Sequence, residues 1–120
     1  IGLLAYSPLA SGYLTGKYRN NQRPANARIT LDPGFWGRYE KPNTSPAVEA
    51  YYDIAKKFNL VLSEMALKFC EIQPFMTSVI IGATTMDQLK SNIQSINIDL
   101  KDEIISEINK VQLLYSNPCP

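Results

Sequence analysis

Two short segments carry the residue types and spacings that could do chemistry. Near one end, Tyr6-Ser7-Pro8-Leu9-Ala10-Ser11-Gly12 runs into Leu14-Thr15-Gly16-Lys17. Near the other, Ser78-Val79-Ile80-Ile81 runs into Gly82-Ala83-Thr84-Thr85, with Gln88 and Asn92 beyond. Each reads as a buried apolar strand that leads into small residues and then a helix start. Unpaired backbone N–H groups and the positive end of a helix dipole make such a loop a cradle for an anion. Two cradles in one chain point to one ligand with several phosphates. Gly82 would let the backbone approach that ligand closely. Phosphates also call for fixed cations, and Lys17 and Arg28 are the candidates, Arg28 as a bidentate donor.

Plainer readings stand beside these. Thr85 and Gln88 have the spacing of a helix capping box. Ser7, Pro8 and Gly12 could be turn residues only, Lys17 and Arg28 solvated loop charges, and Tyr6 core filling. Asn92 falls inside a helix, where asparagine is a poor former, which favours a functional reason for it.

The elements that must position these residues follow from periodicity. Residues 2–6 read as a strand apolar on both faces, as in a parallel sheet covered by helices. Residues 10–16 read as a loop or a single helical turn. Residues 17–43 form a long stretch without a period, in which Phe35, Trp36 and Tyr39 would serve as loop anchors, core, or a wall of a substrate pocket. A helix is expected from Ser45-Pro46, with Ser45 as N-cap and Val48, Tyr51, Tyr52, Ala55 and Phe58 inward. Ser63 should cap a second helix that ends before Pro74. A buried strand over 78–81, a helix over 86–95, a helix capped by Asp99 and a tail over 116–120 complete the pattern.

Alternating strands and helices indicate an α/β fold with a parallel sheet. Two parallel strands leave both outer edges open. The chain therefore reads as the C-terminal part of a longer protein, an incomplete (β/α)8 TIM barrel containing strands 7 and 8, their helices and a C-terminal helix. In such barrels the loops after these two strands often build a phosphate site.

Composition narrows the function classes. The 120 residues are 45% hydrophobic and 19% charged, ordinary for a globular chain. With 12 basic and 11 acidic residues there is no electrostatic footprint for nucleic acid or a membrane surface. Cys70 and Cys119 lack metal-ligand spacing, so no metal is expected and a reduced, cytoplasmic protein is the default.

The two motifs, in this order and at this separation, resemble the strand-seven and strand-eight segments of the aldo-keto reductases. The stretches ALKF and GATTMDQLKSNI and the Asn-Pro-Cys-Pro ending are most similar to the bacterial Tas-like branch, related to the potassium-channel beta subunits. The resemblance implies an NADP(H) cofactor, bound extended and without a Rossmann fold. Ser7, Pro8, Leu9, Ala10 and Ser11 would line the pyrophosphate and nicotinamide ribose, with Tyr6 near the nicotinamide. Lys17 and Arg28 match basic positions near the phosphates. Gly82, Thr84, Gln88 and Asn92 match those at the 2′-phosphate and adenine. Ser91 stands where the family usually has a glutamate that contacts adenine.

The resemblance further implies 4-pro-R hydride transfer to a small aldehyde or ketone by an Asp/Tyr/Lys/His tetrad. The chain contains no histidine and its tyrosines and lysines lie in no matching motif, so no catalytic residue is assigned within it. A regulatory subunit of the same fold that binds NADP(H) without catalysis is the alternative.

Overall fold

A computed structural model describes residues 1–120, apart from the side chains of Phe35 and Trp36. Two strands, β1 (Leu3–Ala5) and β2 (Met76–Val79), form a parallel pair. The register aligns Leu3 with Met76 and Ala5 with Val79, with an irregularity between Leu3 and Leu4. Leu3 N–H donates to Phe75 O at 3.0 Å and Ile80 N–H to Ala5 O at 2.7 Å, which extends the ladder past both ends of β2. A Cβ at Gly2 would collide with the Thr77 side chain, so this close approach requires glycine there.

The strand expected over 78–81 is thus shifted two residues earlier, and Ile80 and Ile81 lie beyond it. Nor are the strands buried. Leu4 is 60% exposed and Ile80 51%, because the apolar faces have no covering layer within these residues.

The core lies among the helices instead. Helices α1 (Arg28–Leu31) and α2 (Pro33–Trp36) are single turns within the long 17–43 stretch, followed by α3 (Thr44–Lys57), α4 (Leu62–Glu71), α5 (Met86–Gln94) and α6 (Asp102–Leu114). Ile54 and Ala55 of α3, Leu62 and Met65 of α4, and Ile104 and Ile108 of α6 pack together. Tyr13, Tyr18, Ile29 and Tyr39 close that cluster, so the aperiodic stretch contributes to the core rather than looping over it. The Phe35 and Trp36 side chains, grouped with Tyr39 in the sequence reading, lie outside the described residues.

The expected caps are corrected at three helices. Asn43, Val61 and Lys101 occupy the N-cap positions, none with a side-chain cap bond, so Ser45, Ser63 and Asp99 do not cap. The helix starts are set by packing and, at α6, by Asp102 and Glu103 facing the helix dipole. Thr44 hydroxyl is used elsewhere, lying 2.7 Å from Tyr39 O and 3.0 Å from Pro118 O. That contact docks the tail, whose Cys119 packs against the core.

One ion pair pins the long stretch to α3. Arg19 donates from Nε to Glu49 Oε1 at 2.8 Å and from Nη2 to Oε2 at 2.7 Å, and its guanidinium stacks 3.3 Å from the Tyr52 ring centroid. The hydrogen bonds from Arg19 hold the Glu49 carboxyl below its ordinary value despite partial desolvation. A lowered folded-state value means the pair stabilises above the unfolded carboxyl range and is lost as pH falls through the folded one. Between about pH 6 and about pH 3, the urea midpoint should therefore drop further for the wild type than for Glu49→Gln, and equal drops would remove this role. Met65 is 2% exposed, and Met65→Ala should cost about 2–5 kcal/mol, read from the same denaturation curves.

Candidate functional site

Because the strands are parallel, the loops that follow them leave the sheet on the same side. The first begins with Tyr6, which is 75% exposed just beyond β1. The backbone then turns through left-handed conformations at Ser7 (φ 57°), Ala10 (φ 47°), Ser11 (φ 56°) and Gly12 (φ 97°). Only Gly12 adopts this region without steric cost; the others store strain of about 1–2 kcal/mol per residue. A short 3-10 segment, Ala10–Thr15, grows out of these turns.

The loop is held by its own bonds. Ala10 N–H donates to Ser7 O at 3.0 Å, and Gly12 and Leu14 N–H donate to Leu9 O at 2.9 and 3.2 Å. Thr15 hydroxyl donates to Gly12 O at 2.7 Å. The sequence reading expected unpaired N–H groups here, whereas those of Ala10, Gly12 and Leu14 are consumed by the turns. What the loop presents is side-chain chemistry and charge. Lys17 folds back over Gly12, so that a Cβ at Gly12 would lie 2.7 Å from Lys17 Cε and 3.0 Å from Nζ. Its ammonium also sits 5.3 Å from the Tyr18 ring centroid.

Ser11 is 9% exposed, and its hydroxyl oxygen is fully buried without a hydrogen-bond partner among the described residues. Pro8 and Leu14 line an apolar cavity of about 140 Å³ together with Leu62, Met65, Phe69 and Cys70. The Pro8 side chain therefore serves packing. Leu9 is half-buried, and Ala10 packs on the core.

The second loop is more open. Gly82 has no described heavy atom within 4 Å of where a Cβ would be, so nothing within the chain demands glycine there. Asn92 is 7% exposed, and its Nδ2 reaches Gly82 O at 3.4 Å. Thr85 is the N-cap of α5, its hydroxyl accepting from Gln88 N–H at 3.2 Å. Gln88 Oε1 accepts from Thr84 N–H at 2.9 Å and lies 3.1 Å from Thr84 Oγ1. The capping box anticipated from spacing thus forms with its reciprocal arm reaching one residue further back, and it occupies the polar groups of Thr84 and Gln88.

Ser91 donates to Glu64 Oε1 of α4 at 2.7 Å. Ser7, Ser11, Gly12 and Lys17 therefore form one cluster, and Gly82, Thr84, Gln88 and Asn92 a second on the neighbouring strand. Arg28 is exposed on the first residue of α1 and joins neither cluster through these bonds.

Sequence reasoning missed Tyr39 as a contributor to the first cluster. It is 4% exposed and stacks on Tyr13 with centroids 6.0 Å apart. Burial raises its hydroxyl pKa, but contacts with the Ser11 and Ser7 hydroxyls and the Arg38 guanidinium outweigh this and leave it below the ordinary tyrosine value. Since Ser11 Oγ reaches no partner at full hydrogen-bond geometry, its approach to Tyr39 stops short of a formed bond. The neighbouring Tyr13, buried and lacking such partners, is pushed up to about 12 chiefly by desolvation. The aromatic composition of the long stretch marked Tyr39 as an anchor or core residue, which its burial bears out, while its place beside this loop comes through the fold.

Adjacent loops that follow two parallel strands, one with a lysine folded over it and one opening a helix, define an α/β protein. The chain belongs to the aldo/keto reductase family, whose model matches residues 1–113. It is 48% identical over 120 residues to Protein tas of Escherichia coli (strain K12), covering all of this chain and 34% of that protein. It is 34% identical over 122 residues to an aldo-keto reductase of Babesia bovis, covering 98% of this chain and 43% of that protein. It is 33% identical over 115 residues to a probable voltage-gated potassium channel subunit beta of Oryza sativa subsp. japonica, covering 92% and 35%. The chain thus spans between a third and a half of the length of these relatives.

Among the described residues no cluster of three or more His, Cys, Asp or Glu is placed to hold a metal ion, and no helix is long and apolar enough to cross a membrane.

The N-cap of α5 is open to a direct check. Thr85→Ala should destabilise the first turn of α5 by about 1 kcal/mol, seen as faster amide hydrogen exchange at Gln88. Unchanged exchange would mean that the turn is held by contacts other than this cap.

Proposed function

We propose that this chain is the cofactor-binding part of an NADP(H)-dependent, cytoplasmic oxidoreductase that reduces aldehydes or ketones, with β1 and β2 as strands seven and eight of a (β/α)8 barrel. The observation that carries the reading is the side-by-side placement of two anion-type loops with the Lys17 ammonium folded over the first. The residues fit the cofactor. Ser7, Pro8, Leu9, Ala10 and Ser11 would receive the pyrophosphate and nicotinamide ribose, with Tyr6 exposed beside them. The buried, unpartnered Ser11 hydroxyl supplies a polar group in need of a partner. Gly82, Thr84, Gln88 and Asn92 would receive the adenosine end, with Arg28 at the 2′-phosphate.

The cofactor supplies hydride. This chain's residues bind and orient it, and the Asp/Tyr/Lys/His set that would handle the proton lies outside residues 1–120. The barrel reading also accounts for the exposure of Leu3, Leu4, Ile80 and Ile81, which the missing strands and helices would cover.

The similarity to a protein named as a potassium channel subunit beta favours one second reading, an NADP(H)-binding regulatory subunit of the same fold. Turnover of a carbonyl substrate by the full-length protein separates the two. In the same full-length protein, Lys17→Ala should weaken NADPH and NADH binding alike, by about three- to tenfold. Arg28→Ala should weaken NADPH more than NADH, both followed by cofactor fluorescence. Equal effects of Arg28→Ala on the two cofactors would remove its assignment to the 2′-phosphate.

A further inference from the structure

The second loop has a carboxylate beside it that the cluster described above leaves unused. Gln88, Ser91 and Asn92 stand three and four residues apart on α5, so their side chains share one face of the helix. Two of them touch the loop, Gln88 at Thr84 and Asn92 at Gly82 O. The third, half-buried Ser91, donates its one hydroxyl proton to Glu64 Oε1 at 2.7 Å. That bond brings Glu64, from the first turn of α4, to the helix face that carries the loop contacts. Glu64 is half-buried, and among the described residues its second oxygen, Oε2, has no hydrogen bond and its charge no ion pair. Lys68, one turn further along α4, is committed to Glu71 at 2.6 Å and to Ile96 O at 3.1 Å. A partly desolvated carboxylate with a free oxygen calls for a donor. Ser91 Oγ, its proton spent, likewise offers only lone pairs.

We propose that Glu64, held by Ser91, is a specificity residue of the adenosine end and accepts a hydrogen bond from the exocyclic amine of adenine. The inference rests on the cofactor reading above, which puts the adenosine at Gly82, Thr84, Gln88 and Asn92. An anionic 2′-phosphate is repelled by this carboxylate, so the group that meets it is a neutral donor, and on adenine that donor is the amine. Ser91 fixes Oε1 and leaves Oε2 for the ligand. The pair selects the base by hydrogen-bond polarity. It accepts from an amine and opposes a carbonyl, which would bring one more acceptor to two acceptors.

The test uses the full-length protein and two probes, NADPH and its hypoxanthine analogue, in which a carbonyl replaces the amine. Binding of both is followed by cofactor fluorescence. The wild type should prefer NADPH by about tenfold, as expected for one charge-assisted hydrogen bond. Glu64→Gln keeps the shape of the side chain and can turn an amide N–H toward a carbonyl, so the preference should vanish or reverse. Ser91→Ala leaves the carboxylate but removes its anchor, and should cut the preference by about threefold. A glutamate that only joined α4 to α5, or that met a ribose hydroxyl, would on replacement weaken both probes in the same proportion. An unchanged preference in Glu64→Gln therefore overturns the proposal, as does a wild type that binds the two probes alike. Should Glu64→Gln not fold, Ser91→Ala must show the reduced preference or the proposal fails. Absence of NADPH binding by the wild-type protein would refute the cofactor reading itself and is thereby distinguishable.

Discussion

Two strands hydrogen-bonded in parallel send their C-terminal ends out of the same edge of the sheet, roughly 4.8 Å apart, whatever the chain does between them. Here that constraint joins residue 5 to residue 79. It places Ser7–Gly12 and Gly82–Thr84 beside each other although two helices and a long irregular stretch separate them in sequence. Gly2 is part of the same constraint, since only glycine lets β1 lie this close to Thr77. The placement of the two loops follows from the pairing, and the helices serve to support it.

That support is uneven. The second loop is stabilised locally by a threonine cap and a glutamine, both within a few residues of Gly82. The first depends on distant residues. Tyr13, in the segment that grows out of its left-handed turns, stacks on Tyr39 from the aperiodic stretch, which is pinned to α3 by Arg19 and Glu49 and at Thr44. The loop with more backbone strain therefore has the more elaborate foundation, as expected when strain has to be balanced by the surrounding fold. The Ser91–Glu64 bond has a separate role, tying α5 to α4.

Those differences explain what was legible in the sequence. The capping box at Thr85 was visible because its signal is a fixed spacing between two residue types. The family and both loops were visible because their small residues and glycines stand in order. Ser45, Ser63 and Asp99 have good capping chemistry but do not cap, because core packing starts each helix elsewhere. The left-handed turns at Ala10 and Ser11 have no signature, since neither residue favours them, and Tyr39 reaches the cradle only through tertiary contacts. The strands read as buried because their composition is apolar on both faces. That composition matches the layers such strands are covered by, and residues 1–120 do not supply those layers.

The Thr44–Pro118 contact joins residues 74 positions apart. At synthesis rates of about 5–20 residues per second, roughly 4 to 15 seconds separate the two residues at the ribosome. Throughout that interval the start of α3 has one of its anchors missing, and the carbonyl of Tyr39 shares a hydroxyl that has not yet met its second partner. Local structure such as the α5 cap forms as soon as its own few residues emerge. The Thr44–Pro118 contact is therefore made well after the strand that leads into the first loop.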